Sequence, residues 1–461
     1  MYSIKLANIN AKNLTDRKKK MAKKPNPQSF YIRTYGCQMN ELDSDLMAGV
    51  LQERGLIRKD NEDDADLLLY NTCSVRDLAE RKVMGKLGRM GRRKHNNKII
   101  GVTGCMANNK KESLFSKLPN IDFILGTNNI HDLNPVLDEL LGTGEQQIRT
   151  DGTFTHELDY SVVDRADPLK AYVTIIRGCD KYCTYCIVPY TRGPEVSREP
   201  KSIVDECREL VAKGTKEITL LGQNVNSYGK DRPEWGVLFH DLLYQLDQIP
   251  GLERVRFMTS HPCDISLELM QAVRDLPSLC ELVHFPIQAG SNRILKKMHR
   301  MYTKEEYFEK VAMLRSLVPD VSLGTDIIVG FPTETEAEFE ETYQAMEEIG
   351  FSVSFIYAYS PRKGTPATRW ADDVPDAEKQ RRLQRLMALQ ETAYIKDREN
   401  MLGTTVEVLV EKRNAKESQY LKGLTRCWKN VLFAGDDSLI GTLQKVQVHS
   451  ISHHTLIGER V

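Results

Sequence analysis

Between Arg177 and Gly193 the chain reads RGCDKYCTYCIVPYTRG, with Cys179, Cys183 and Cys186 held close together and no further Cys or His within reach of a short loop. A structural zinc site takes four protein ligands, commonly as two CxxC pairs. Three thiolates suit an iron–sulfur cluster better, because they leave one iron without a protein ligand and free to bind a small molecule. A second set is dispersed: YGC, NTC and TGC place Cys37, Cys73 and Cys105 directly after three apolar runs. One such cysteine usually reads as a small buried hydrophobe. Three repeats of the same strand ending argue for convergence. The chain has ten cysteines among 461 residues, too sparse for a disulfide scaffold, so they are expected to be free thiols or ligands. Cys207, Cys263, Cys280 and Cys427 have no partners in the pattern and are read as structural.

The elements that must carry these residues are strands and helices in alternation. From residue 29 to about 145 the runs SFYIRTYG, ADLLLYNT, NKIIGVTG and IDFILGTN are separated by helix-like segments, the pattern of a parallel sheet. Open α/β sheets gather ligands at the carboxyl ends of their strands, where Cys37, Cys73 and Cys105 would meet. A second alternation follows, with strands AYVTII, EITLLG, RVRFM, LVHFPI, SLGTDIIVG and SVSFIYAY. Six βα units fit a partial barrel, since an eight-unit barrel needs roughly 250 residues. Cys179 follows the first of these strands, on the face where barrels assemble their active sites. A long amphipathic helix, VPDAEKQRRLQRLMALQETAYIKDRENMLG, is expected to close at Gly403. The β-branched, Gly-punctuated remainder predicts a small closed β-barrel. The overall class is α/β: residues 1–28 a basic tail, 29–145 a parallel-sheet domain, 165–400 a partial (β/α)6 barrel with its long helix, and 402–461 the small barrel.

Lys+Arg and Asp+Glu both total 64, so there is no global basic footprint for nucleic acid, and any such surface must be local. No apolar run approaches the ~20 residues of a membrane span and the amino terminus lacks a signal-peptide pattern, which reads as a soluble cytoplasmic protein.

The CxxxCxxC of CDKYCTYC resembles the radical S-adenosylmethionine enzymes, with Tyr185 before the last cysteine. TYGCQMNELDSD, YNTCSVRDLAERK, VTGCMA, CTYCIVPYTRGPEVSR, LLGQNVNSYG, GSNRILKKMHRMYT and GTDIIVGFPTETEAEFEET extend the resemblance, from residue 30 onward, to the methylthiotransferases, and to their branch acting on isopentenyladenosine in tRNA. The resemblance implies two 4Fe-4S clusters, one on Cys179, Cys183 and Cys186 and an auxiliary one on Cys37, Cys73 and Cys105. It also implies S-adenosylmethionine as both methyl donor and source of a 5′-deoxyadenosyl radical, and a carboxy-terminal RNA-binding TRAM barrel. The implied partners are the anticodon stem-loop of tRNA, an electron donor such as flavodoxin or ferredoxin, and an unidentified sulfur source; no membrane is involved. The chain departs from the family pattern at Ala289, His299 and Met301.

The implied reaction accounts for two clusters. The hydrogen on C2 of adenine is not acidic enough for a side-chain base, and acid–base catalysis, worth ~100 to 10,000-fold, cannot activate it. A radical can, while a second cluster can hold the sulfur to be delivered. The base must also leave its stack, at a cost of a few kcal/mol.

The strand-end stretch LLGQNVN offers Gly222, Gln223 and Asn224 as cofactor contacts beside Tyr185; an ordinary strand-to-loop turn would use similar residues. Arg192 and Arg198 follow the central cysteines closely and are candidates for tRNA phosphate or a cofactor carboxylate. TRCWKN supplies Arg426, Trp428 and Lys429, a mixture suited to phosphate contact and base stacking. Arg76, Arg81, Lys82, Lys86, Arg89, Arg92, Arg93, Lys94 and Lys98 stand against only Asp77 and Glu80, a solvated helix face or a phosphate grip. His453 and His454 are read as surface residues. The competing readings are methylthiotransfer to threonylcarbamoyladenosine in tRNA or to a ribosomal-protein aspartate, and a non-catalytic metal-containing RNA-binding protein.

Overall fold

A computed structural model describes residues 24–74, 77–90, 97–152, 160–165 and 167–461. Most of the expected basic tail, and Arg76, Arg92, Arg93 and Lys94 of the basic stretch, lie outside the described residues. Within the tail's described part, Lys24 pairs with the buried carboxylate of Asp122, and the amide of Gln28 donates to Asp66 Oδ2 at 2.9 Å. Two compact units form: one comprises Met1–Ala166 with Ile187–Gly193, the other Asp167–Cys186 with Pro194–Val461.

The first unit is built on a sheet of six parallel strands: β1 Ser29–Thr34, β2 Ile57–Arg58, β3 Leu67–Thr72, β4 Ile99–Gly104, β5 Phe123–Leu125 and β6 Gln147–Arg149, in the order β2-β1-β3-β4-β5-β6. Every residue of β3 and β4 is buried, as a parallel sheet covered on both faces requires. Leu68, Tyr70, Ile100, Val102 and Ile124 make its core with Val83 and Leu87 of the helix Asp77–Met90. Four of the six strands are the four apolar runs; β2 and β6 are too short for periodicity to show.

The second unit holds β7 Lys170–Thr174, a small antiparallel pair β8 Ile176–Arg177 and β9 Val196–Ser197, then β10 Glu217–Leu221, β11 Arg254–Phe257, β12 Leu282–His284, β13 Ser322–Val329 and β14 Val353–Ala358. Six of these are the predicted barrel strands. They form two parallel triplets, β11-β10-β7 and β12-β13-β14, joined where Val255 bridges Leu279, so the barrel is partial. Val173, Ile218, Leu220, Val255, Phe257, Val283 and Leu323 face the helical layer and anchor the largest core. The long helix Asp376–Glu399 stops short of Gly403, whose φ of 76° turns the chain into the last domain. There β15 Thr405–Arg413, β16 Tyr420–Thr425, β17 Asn430–Ala434, β18 Leu443–Ser452 and β19 Thr455–Arg460 close a barrel in the order β15-β16-β17-β19-β18, around Val408, Val410, Leu421, Val431, Phe433 and Val446.

That barrel belongs to the same compact unit as the partial barrel because cations staple the two together. Arg254, fully buried, bonds Glu407 Oε1 at 2.9 Å and the carbonyl of Leu424 at 2.7 Å. Among the described residues no helix is long and apolar enough to cross a membrane.

Candidate cluster sites

Strand register brings the dispersed cysteines together. Thr34 pairs with Asn71, and Thr72 with Gly104, so β1, β3 and β4 end side by side, and Cys37, Cys73 and Cys105 leave them at nearly one level. Cys37 precedes the helix Gln38–Glu53 and Cys105 opens the helix Cys105–Lys110. Gly36 has φ 130°, and a Cβ there would lie 2.5 Å from Cys73 Cβ and 3.2 Å from its Sγ, so only glycine lets the first loop close over the second. None of the three is in a disulfide, and Cys73 and Cys105 are buried. Burial pushes the Cys37 thiol up, Arg192 draws it back, and Cys105 adds to the rise. A thiolate there needs a compensating cation, as metal ligation supplies. Ser74 Oγ, fully buried beside Cys73, has no hydrogen-bond partner among the described residues. Three soft sulfur donors with spare buried donors around them fit an iron–sulfur cluster bound through three irons. Among the described residues no three Cys, His, Asp or Glu side chains close on a single metal ion; a four-iron cluster spreads its thiolates wider than one ion does.

The central triad sits on a loop tied from several sides. Gln223 Oε1 accepts from the amide of Gly178 at 2.6 Å, fixing the residue before Cys179. Thr184 is held by Met298 and Lys297, its amide donating to the carbonyl of Met298 at 3.0 Å and its hydroxyl to that of Lys297 at 2.9 Å. Arg300, buried, places Nη1 3.3 Å from Cys183 Sγ and Nε 3.0 Å from the Tyr302 hydroxyl. Burial raises the Cys179 thiol to about 12, so as a free thiol it stays protonated at neutral pH. Lys181 pairs with Asp264 at 2.7 Å, which also bonds Lys230 at 2.7 Å and Asn224 Nδ2 at 2.8 Å. Asp264 is thereby held well below the usual carboxylate range despite its burial. His261 is pushed down to about 2 by burial and by Arg300, so its imidazole is neutral. These three thiols, too, fit a cluster.

The other candidates fall into place differently from one another. Tyr185 packs edge-on to Phe331, with ring centroids 6.4 Å apart. Gly222 is set by packing: a Cβ there would come 2.4 Å from Ile176 Cγ2. Gln223 and Asn224 brace the cysteine loop through Gly178 and Asp264. The cations expected at phosphates are engaged within the protein. Arg192 Nη2 bonds Asn40 Oδ1 at 2.8 Å and Asp43 Oδ2 at 3.0 Å, all within the first unit. Arg198 bonds Thr174 O at 2.7 Å and Glu206 at 2.8 Å. Arg426 grips Glu281, Nη2 at 2.7 Å from Oε1, and the carbonyl of Leu279 at 2.6 Å. Lys429, buried, lies 3.1 Å from Asp397. Trp428 is half-buried beneath Arg256, whose guanidinium is 5.9 Å from its ring. Each of these cations is paired with a carboxylate in the fold. In the basic stretch, Lys86 pairs with Glu62, and Lys98 Nζ bonds the carbonyls of Glu62 and Asp63 at 2.8 and 2.7 Å, while Lys82 and Arg89 are exposed.

Arg300 itself was not singled out in the sequence, although its neighbours His299 and Met301 were. The signal was HRMY, directly after the basic helix Asn292–Lys297, where His299 Nδ1 reaches the carbonyl of Lys181 at 3.2 Å.

Residues 173–346 match the radical SAM superfamily and residues 29–126 an uncharacterized protein family, UPF0004. The fold resembles that of TsrM, a radical S-adenosylmethionine methyltransferase from Kitasatospora setae (TM-score 0.54, 13% identity, 74% of each chain covered). It also resembles OxsB, a cobalamin-dependent S-adenosylmethionine radical enzyme (TM-score 0.51, 12% identity, 76% of this chain and 56% of that one). At such identities the likeness concerns fold alone. The match over residues 173–346 and the central triad define the class, a radical S-adenosylmethionine protein with an added parallel-sheet domain. Among curated proteins the chain is 69% identical over 94% of its length to the tRNA-2-methylthio-N(6)-dimethylallyladenosine synthase of Protochlamydia amoebophila, covering 96% of it. It is 48% identical to that of Thermoanaerobacter pseudethanolicus (94% and 92% covered) and 44% to that of Clostridium botulinum strain Loch Maree (94% and 97%). It belongs to the family of tRNA-2-methylthio-N(6)-dimethylallyladenosine synthases.

Proposed function

We propose that this protein adds a methylthio group to C2 of N6-dimethylallyladenosine, the isopentenyladenosine next to the anticodon of tRNA. The observation that carries this reading is the 69% identity across nearly the whole chain to a synthase of that name. The two separate cysteine triads, each without a fourth cysteine, support it. The alternatives on threonylcarbamoyladenosine or a ribosomal-protein aspartate find no support among the relatives reported. A purely structural metal site would normally complete its ligand set, which weighs against a non-catalytic binding protein.

In this reading Cys37, Cys73 and Cys105 hold the auxiliary 4Fe-4S cluster, and Cys179, Cys183 and Cys186 the radical cluster. When bound, the two clusters and S-adenosylmethionine supply a radical able to activate C2 and a sulfur to place there. The chain's own part is positional. Gln223 fixes the amide of Gly178 at the mouth of the loop, and Thr184 and Arg300 hold its far side. Arg300 puts positive charge beside the Cys183 sulfur, offsetting part of the negative charge that thiolates and sulfides accumulate. Tyr185, Gly222, Gln223 and Asn224 are proposed to shape the cofactor's surroundings, two of them through the loop they brace. The small barrel is proposed to bind RNA, using exposed groups other than the engaged Arg426 and Lys429. The enzyme is proposed to act in the cytoplasm, with a low-potential flavodoxin or ferredoxin supplying its electrons.

The test is anaerobic reconstitution with iron and sulfide, followed by dithionite, S-adenosylmethionine and tRNA carrying dimethylallyladenosine, with digested nucleosides read by mass spectrometry. The 2-methylthio nucleoside should appear and be lost in Cys73→Ala and in Cys179→Ala. Formation of 5′-deoxyadenosine with that nucleoside unmodified would overturn the substrate assignment.

A further inference from the structure

The helix Val188–Arg192 belongs to the first unit, where it packs against the helix that Cys105 opens, and the hydroxyl of Thr127 donates to the carbonyl of Thr191 at 2.9 Å. This places Arg192 among the auxiliary cysteines. Its side chain is 3% exposed. Nη2 is used on Asn40 and Asp43, while Nη1 has no hydrogen-bond partner among the described residues. Cys37 Sγ lies 3.8 Å from the same Asn40 Oδ1 that Nη2 uses, and Cys105 opens the helix packed against Val188–Arg192. A buried guanidinium with a spare N–H costs free energy unless an acceptor completes it. Besides the Asn40 and Asp43 oxygens that Nη2 already uses, the acceptors this placement offers are the sulfurs of the auxiliary cysteines.

The three-thiolate cluster carries negative charge, and its reduction adds one more. Hydrogen bonds to the sulfurs and nearby net charge are among the levers a protein has on cluster potential. Asp43 positions Arg192 and partly neutralises it, so the pair makes a graded, buried positive centre. We infer that Arg192 is a positioning residue of the auxiliary cluster, donating its free Nη1 to a sulfur of that cluster and raising its reduction potential by its charge. The inference rests on the assignment of Cys37, Cys73 and Cys105 as ligands.

The test uses the full chain with Cys179, Cys183 and Cys186 changed to Ala, so that a single cluster remains, reconstituted anaerobically and titrated redox-potentiometrically by electron paramagnetic resonance. In Arg192→Met the ratio of reduced to oxidised cluster at the parental midpoint should fall at least tenfold, equivalent to ~59 mV for one electron. Arg192→Lys, which keeps the charge and loses the fork, should shift less in the same direction. Asp43→Asn, which removes the neutralising charge, should shift the midpoint upward. Opposite signs at Asp43 and Arg192 are what packing damage would not produce. Unmoved midpoints with parental iron content, or shifts of one sign in all three variants, would overturn the inference while leaving the cluster assignment intact. If Arg192→Met binds no iron, the signs in Arg192→Lys and Asp43→Asn decide. Failure of the parent itself to take up iron would overturn the ligand assignment, and the inference with it.

Discussion

Nη1 of Arg300 lies 3.3 Å from Sγ of Cys183, with the same guanidinium bonded through Nε to the Tyr302 hydroxyl at 3.0 Å and through Nη2 to the carbonyl of Pro286 at 3.3 Å. All three donors are fixed by buried partners, so the cation is delivered to one cysteine of the triad in one orientation. Arg300→Met keeps the volume and removes the charge and the donors. The predicted outcome is at least a tenfold fall in 5′-deoxyadenosine formation, with iron bound at Cys37, Cys73 and Cys105 unchanged. Parallel assays on protein lacking either triad separate the two sites; equal loss of iron at both would mean a general folding defect.

The close approach at Gly222 gives a second prediction. Its absent Cβ makes room for Ile176 Cγ2, which would otherwise stand 2.4 Å away, and Ile176 lies on the short strand that leads into Cys179. Overpacking of this kind costs about 1–3 kcal/mol. Gly222→Ala should therefore lower thermal stability and reduce iron uptake at the central triad. Ile176→Ala should be destabilising alone, yet the double variant should be more stable than the sum of the two losses, with a coupling of about 0.5–3 kcal/mol. Strict additivity by calorimetry would show that the contact is not the cause.

Much of this was legible in the sequence, and what was not has a common physical origin. The triads could be placed because a parallel sheet aligns strand ends, and apolar runs mark those ends. A two-residue strand such as Ile57–Arg58, exposed at both positions, is too short to leave a periodic trace. The roles of Arg192, Arg198, Arg426 and Lys429 were hidden for another reason. Composition shows that a cation is present, whereas its partner is chosen by tertiary structure: Asp43 lies 149 positions from Arg192, and Glu281 lies 145 from Arg426. Local motifs such as TRG and TRCWKN therefore show the cation and not the carboxylate that it meets.

The grip of Arg426 on Glu281 bears on how the small barrel meets RNA. A cation that touches a nucleic-acid phosphate contributes about one unit to the salt dependence of binding. Arg426, spent on Glu281 and on the carbonyls of Pro277 and Leu279, should contribute none. In Arg426→Met the slope of log affinity for tRNA against log salt should match the parent. Limited proteolysis should show faster cleavage near residues 400–404, and Glu281→Gln should reproduce that cleavage. A slope reduced by about one, with proteolysis unchanged, would return Arg426 to the RNA surface.

Glu338 connects acid stability to the loop that carries Arg300. Its carboxylate accepts from Arg293 Nε at 2.5 Å and Nη2 at 2.6 Å, and from Ser291 and the Thr335 amide at 3.2 and 2.9 Å, pinning the helix Asn292–Lys297 to the start of the helix Glu336–Ile349. Burial works against the charge, but Arg293 and Thr335 outweigh it and hold the carboxyl down at about 2, against an ordinary 4.5. With the folded value below the unfolded one, the unfolded chain binds more protons in between. The contribution is thus fully present above about pH 4.5 and is lost as pH falls toward 2. Comparing urea unfolding of the iron-free chain with that of Glu338→Gln isolates it from other carboxylates. The stability difference between the two should be largest at neutral pH and shrink steadily from pH 4.5 to 2. A difference constant across that window would show that Arg293 and Thr335 hold the side chain no more tightly when it is ionised than when it is not.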